Sequence, residues 1–91
     1  MKQHITIEQL EKSGLTSKLR DILKDEYFGG DNHLHEKITI GKMIEILLKF
    51  SKVDINQECD YWVTYIGSLA FFELELVDSL WEAVKEVLDE E

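Results

Sequence analysis

Five carboxylates stand three or four residues apart near the end of the chain: Glu75, Asp78, Glu82, Glu86 and Asp89. On an α-helix that spacing lines side chains along one face, neighbours roughly 5–6 Å apart. A row of fixed negative charge on a rigid rod can meet a basic surface or imitate a phosphate backbone. It can equally be the solvated side of a helix whose other side is buried. Exposed helices usually interleave Lys four residues from each acid, and here Lys85 stands alone among them. That shortage of counter-charge favours a binding role for Glu75, Asp78, Glu82, Glu86 and Asp89.

A second group with possible chemistry is His33 and His35, flanked by Asp31 and Glu36, with Cys59-Asp60 further on. His-x-His on an extended segment turns both imidazoles to one side. A transition-metal site would need further ligands at diagnostic spacing, and none is present. The expectation is a loop that binds no metal, and no cofactor is expected elsewhere. Cys59 is expected to be a buried small hydrophobe. Trp62, Trp81, Phe71 and Phe72 could form an aromatic binding surface, but a chain of 91 residues needs its large side chains for a core. Core packing is therefore expected for them. One or two at the rim would be hot-spot candidates if exposed.

Catalytic motifs are missing. The chain has no Gly-rich phosphate loop, no His-Glu-x-x-His and no nucleophile elbow. Nothing in the spacing of its 19 Asp and Glu selects an acid–base pair, so a non-enzymatic protein is expected.

The elements that must position these residues follow from periodicity. Thr6 followed by Gln9 is a capping-box pattern opening a first short helix, broken at Ser13-Gly14. A second helix is expected from about Thr16 to Lys24, with Leu15, Leu19, Ile22 and Leu23 on one stripe. Helix–Gly–helix suggests a DNA-reading helix-turn-helix, but the second helix is short and the domain acidic, so that reading is rejected. Residues 25–37 lack periodicity. Thr39 then caps a core helix from Ile40 to about Phe50. Asp54 to Asp60 is polar and reads as a loop. Tyr61 to Ile66 is aromatic and β-branched, a strand, with Gly67-Ser68 as the turn into a partner strand around Leu69–Phe72. The stretch 69–77 fits strand alternation and a helical stripe alike. A helix from about Leu74 to Glu90 is favoured, with a later start possible because Ser79 and Glu82 also match a capping box. The fold class expected is α+β: one domain over 1–91, with N-terminal helices, a short two-stranded antiparallel hairpin and a C-terminal amphipathic acidic helix.

Charge divides the chain. Residues 1–52 hold nine Lys or Arg against eight acids, a balance of +1, whereas residues 53–91 hold Lys85 against eleven, a balance of −10. Such a surface repels nucleic acid, whose binding depends on cationic side chains. It attracts basic partners instead. No signal peptide or membrane span is readable, and one cysteine allows no internal disulfide, so a cytoplasmic setting is expected.

Two segments resemble small phage and prophage proteins of Gram-positive bacteria. Ile38 to Leu47 is similar to their IGQMIEFL-like helix, and Glu75 to Leu88 to their ELCDALWEAVKEVL-like ending. The opening Ile5 to Leu10 is similar to how they begin. Where those proteins have Cys in the C-terminal motif this chain has Val77, so no thiol role carries over. The resemblance implies a phage origin and an αα-α-ββ-α layout, and brings no activity with it. The expected function is macromolecular binding, as an acidic inhibitor of a host defence or nucleic-acid-handling protein with a basic surface. A structural protein that self-associates through exposed aromatics is the alternative. A metal-dependent enzyme using His33 and His35 has the least support.

Overall fold

The computed structural model describes residues 2–23 and 34–89. Along the chain these form α1 (Ile7–Ser13), α2 (Thr16–Ile22), α3 (Leu34–Lys37), α4 (Ile40–Leu48), β1 (Val53–Glu58), β2 (Tyr61–Ile66), β3 (Leu69–Glu73) and α5 (Leu76–Asp89). The architecture is α+β.

Local chemistry explains the boundaries. Thr6 and Gln9 close the capping box of α1: the Gln9 amide donates to Thr6 Oγ1 at 3.1 Å, and the Thr6 amide donates to Gln9 Oε1 at 2.9 Å. Gly14 ends that helix with φ of 71°, a conformation that costs residues with a Cβ. Thr39 caps α4, accepting the Lys42 amide at 3.2 Å. Before it, the N-terminal segment runs antiparallel to residues 38–40, joined by Ile5 N to Ile38 O and Ile40 N to Gln3 O, each 3.3 Å.

The sheet departs from expectation. It is a three-stranded antiparallel meander in the order β1-β2-β3, not a two-stranded hairpin. The segment expected to be a polar loop supplies β1, paired to β2 with Val53 opposite Ile66 and Ile55 opposite Thr64. Its physical reason is position. An edge strand needs apolar residues on one face only, and Val53 and Ile55 are the two that pack against the core. Asp54, Asn56 and Glu58 alternate outward, and their polarity masks the strand. Charged side chains on an edge also discourage pairing with another chain. Both turns are two-residue loops with a positive φ, Cys59 at 52° and Gly67 at 57°.

The inner face of the sheet, Trp62, Thr64, Ile66 and Phe71, carries α5, which also packs against α4. On its other flank lie the N-terminal helices, where Lys18 Nζ donates to the Leu88 carbonyl and caps the end of α5. Enclosed this way, α5 buries Leu76, Val77, Ser79, Leu80, Trp81, Ala83, Val84 and Leu88. More than half of its circumference is covered, and its acids share the narrow strip that remains. One buried cluster joins residues from α1, α2, α3, α4, β2 and α5. α5 starts two residues later than expected; its first backbone bond runs from the Ser79 amide to the Glu75 carbonyl at 3.1 Å. The start at Ser79 is not used, because that hydroxyl turns inward to Thr64 and Phe71.

Candidate partner-binding surface

The five carboxylates divide by neighbourhood. Glu75 precedes α5, and Asp78 is in its first turn. Both face the N-terminal segment. Asp78 Oδ1 accepts from Lys2 Nζ at 2.7 Å and from Gln9 Nε2 at 2.8 Å. Glu75 Oε2 receives the Lys2 backbone amide at 3.5 Å. These two acids tether the start of the chain to the start of α5. Lys2 and Asp78 keep 32% and 28% of their side-chain exposure, so solvent screens the pair and its worth is well under 1 kcal/mol to about 1 kcal/mol. Glu82 pairs with Lys85 one turn on, at 2.8 Å. No hydrogen bond or ion pair among the described residues engages the side chain of Glu86 or Asp89.

The row is therefore partly cancelled: Lys2, which no local pattern connects to α5, neutralises Asp78, and Lys85 neutralises Glu82. Asp78, Glu82 and Asp89 lie along a groove of about 480 Å³ between α1 and α5, where Glu73 from the end of β3 joins them. Trp81 forms its floor, and Lys12 and Lys85 are the cations on its walls. With Lys2 on Asp78 counted beside these two, four carboxylates meet three lysines, and the groove keeps a small negative excess. Glu73 escaped the sequence reading because it belongs to a strand, outside the helical spacing. Glu86 is on the opposite side of the strip, in a separate recess of about 360 Å³ with Phe50, Ile66, Leu69 and Val87. Sequence spacing placed it in one row with Asp78; the neighbours of α5 separate them.

The aromatic residues split between core and surface. Trp81 is buried, and Trp62 and Phe71 pack partly buried against the core, as expected. Phe72 is 56% exposed. It lies opposite Val63 on the outer face of the sheet, which Tyr61, 50% exposed, shares by alternation. Val63 itself is buried but lies outside the main core cluster.

His33 and Asp31 lie outside the described residues. His35 sits in α3, a helix where no regular element was expected, and its ring meets His4 with centroids 5.6 Å apart and planes at 67°. His4 Nδ1 bonds the Ile5 carbonyl at 2.7 Å, whereas His35 Nδ1 is buried with no hydrogen-bond partner among the described residues. Among the described residues no three His, Cys, Asp or Glu gather in a way that would hold a metal ion. Cys59 is exposed, contrary to expectation, because it occupies the tip of the β1–β2 turn and not a packed face. No helix of the described residues is long and apolar enough to cross a membrane.

Compared with known proteins, the chain matches no family model, no curated protein and no solved structure.

Proposed function

We propose that this chain is a non-enzymatic, phage-type protein that acts by binding another macromolecule through the acidic side of α5. The partner is a host protein with a basic surface, met in the host cytoplasm, and the chain inhibits it by standing in for nucleic acid. The observation that carries this reading is the groove between α1 and α5, where Glu73, Asp78, Glu82 and Asp89 outnumber Lys12, Lys85 and the Lys2 that pairs with Asp78. A charged cleft of one sign focuses field and speeds encounter with the opposite sign. Its direct ligand is protein, because the same field repels phosphates. Glu75 and Asp78 contribute as the scaffold of the groove's end, Glu82 and Asp89 as its contacts, and Glu86 as a contact on the other side of the acidic strip. The test is to capture partners from host lysate with the wild-type chain, then measure the affinity of Glu82→Gln/Glu86→Gln/Asp89→Asn for the protein recovered. Weakening that disappears in high salt supports the reading. Unchanged affinity at low salt removes the acidic strip from it.

The second reading is self-assembly through the outer sheet face, favoured by the exposure of Phe72 and Tyr61. Aromatics on an open sheet face are usual interface anchors. Sedimentation over a concentration series separates the two, since a strict monomer counts against assembly.

A further inference from the structure

The recess that holds Glu86 has a chemistry of its own. Its walls come from three places: Phe50 and Ser51 after α4, Ile66, Gly67 and Leu69 around the β2–β3 turn, and Glu86 and Val87 on α5. Most of that lining is hydrocarbon. Phe50 and Leu69 remain 39% and 42% exposed at the mouth, whereas Ile66 is buried behind them. Glu86 brings a single half-buried carboxylate, and none of the ion pairs or hydrogen bonds among the described residues engages it. Lys49 and Lys52, which flank Phe50 and Ser51 in the chain, are both exposed, and neither pairs with it. The carboxyl end of α4 also lies against this recess, with the Phe50 and Ser51 amides bonded back to Leu47 O at 3.0 and 2.9 Å. A helix presents the negative pole of its dipole there, which favours a cation.

We infer that this recess takes an arginine side chain of the basic protein partner, so that Glu86 is an anchor contact separate from the α1–α5 groove. The inference rests on the binding reading above and adds to it the residue type recognised. The recess of about 360 Å³ is at the small end of ligand sites, which run to roughly 1,000 Å³, and suits one long side chain better than a helix or strand. Arginine fits each feature. Its methylene stem lies along Ile66, Leu69 and Val87, as long cationic side chains do on apolar surface. Its guanidinium forks onto a carboxylate with two parallel bonds and stacks on an aromatic face, here Phe50. Lysine offers a more strongly hydrated point charge and neither the fork nor the stack. A purely apolar side chain would leave Glu86 desolvated without a partner, which costs free energy. The charge of the wall thus selects among the occupants that its shape admits.

The test uses the full chain, ¹⁵N-labelled, titrated at low ionic strength with a blocked hexa-arginine peptide and with its neutral citrulline counterpart. The expected result is saturable shifts of the Gly67, Leu69, Glu86 and Val87 amides with the arginine peptide. Affinity at these amides should fall about tenfold in Glu86→Gln, the scale of one charge-assisted hydrogen bond. Glu58→Gln, an equal change of charge at the far end of edge strand β1 and outside both recess and groove, should leave it nearly unchanged. Equal shifts with citrulline would overturn the assignment of a cation. Shifts confined to residues about Asp78 and Trp81, indifferent to Glu86→Gln, would overturn the recess and leave the acidic-strip reading standing. No shift anywhere would overturn both.

Discussion

Ser79 is the only polar residue buried on α5, and replacing it tests how the helix is held against the sheet. Ser79 Oγ lies 2.7 Å from Thr64 Oγ1 and 2.7 Å from the Phe71 carbonyl oxygen, with Ser79 and Thr64 both fully buried. A hydroxyl has one proton, and a carbonyl can only accept. Ser79 therefore donates to Phe71 O, and Thr64 donates to Ser79, a two-bond relay from β2 through α5 to β3. Ser79→Ala removes the centre of that relay, losing two bonds and stranding the Thr64 hydroxyl in a dry site. A buried polar group without a partner costs about 1–3 kcal/mol. Thr64→Val removes only the first donor and leaves Ser79 satisfied by Phe71, a loss of about 0.5–1.5 kcal/mol. The double variant should cost less than the sum of the two, because it strands no hydroxyl. For a domain of this size, a loss of about 2 kcal/mol in Ser79→Ala lowers Tm by roughly 8–16 °C. Urea and thermal unfolding of the three variants measure all of this in one cycle. Ser79→Ala within about 0.5 kcal/mol of wild type, or strict additivity, would refute the relay. The roll of α5 about its own axis would then be set by apolar packing alone.

Three further outcomes follow from particular contacts. Gly67→Ala places a Cβ at φ of 57°; no atom is in its way within 4 Å, so the cost is purely conformational, about 1 kcal/mol by chemical denaturation. Cys59, exposed at its turn, should react with a thiol reagent in the native state as fast as in urea, and a protected thiol would contradict its placement. Lys2→Ala should cost no more than about 1 kcal/mol in stability, since its pair with Asp78 is screened. It should also make the α1–α5 groove more negative and raise the association rate with a basic partner.

Much of the fold was readable in the residues, and the failures have identifiable causes. Thr6 and Thr39 each marked a helix start because capping depends on neighbours a few residues away. Tyr61–Ile66 was legible as a strand because every position carries a β-former. β1 was not, since on an edge only Val53 and Ile55 need be apolar, and two residues make a weak signal. α3, of four residues, is too short for a helical period to register. The candidate site shows the same division. Helical spacing put Asp78, Glu82 and Asp89 on one side of α5 correctly. It held no information about which neighbours stand on that side. Lys2 reaching Asp78, Glu73 entering from β3, and Glu86 turning into another recess are all long-range events. Phe72 was expected inside; its alternation with Phe71 decides which of the two is buried, and β3 turns Phe71 inward.

The acidic strip of α5 is the centre of the functional account, and the ionic-strength dependence of its association with a captured partner tests it most directly. The association rate should fall steeply with salt in the wild type and clearly less steeply in Glu82→Gln/Glu86→Gln/Asp89→Asn, with folding unchanged by circular dichroism. Identical salt slopes for the two proteins would contradict it.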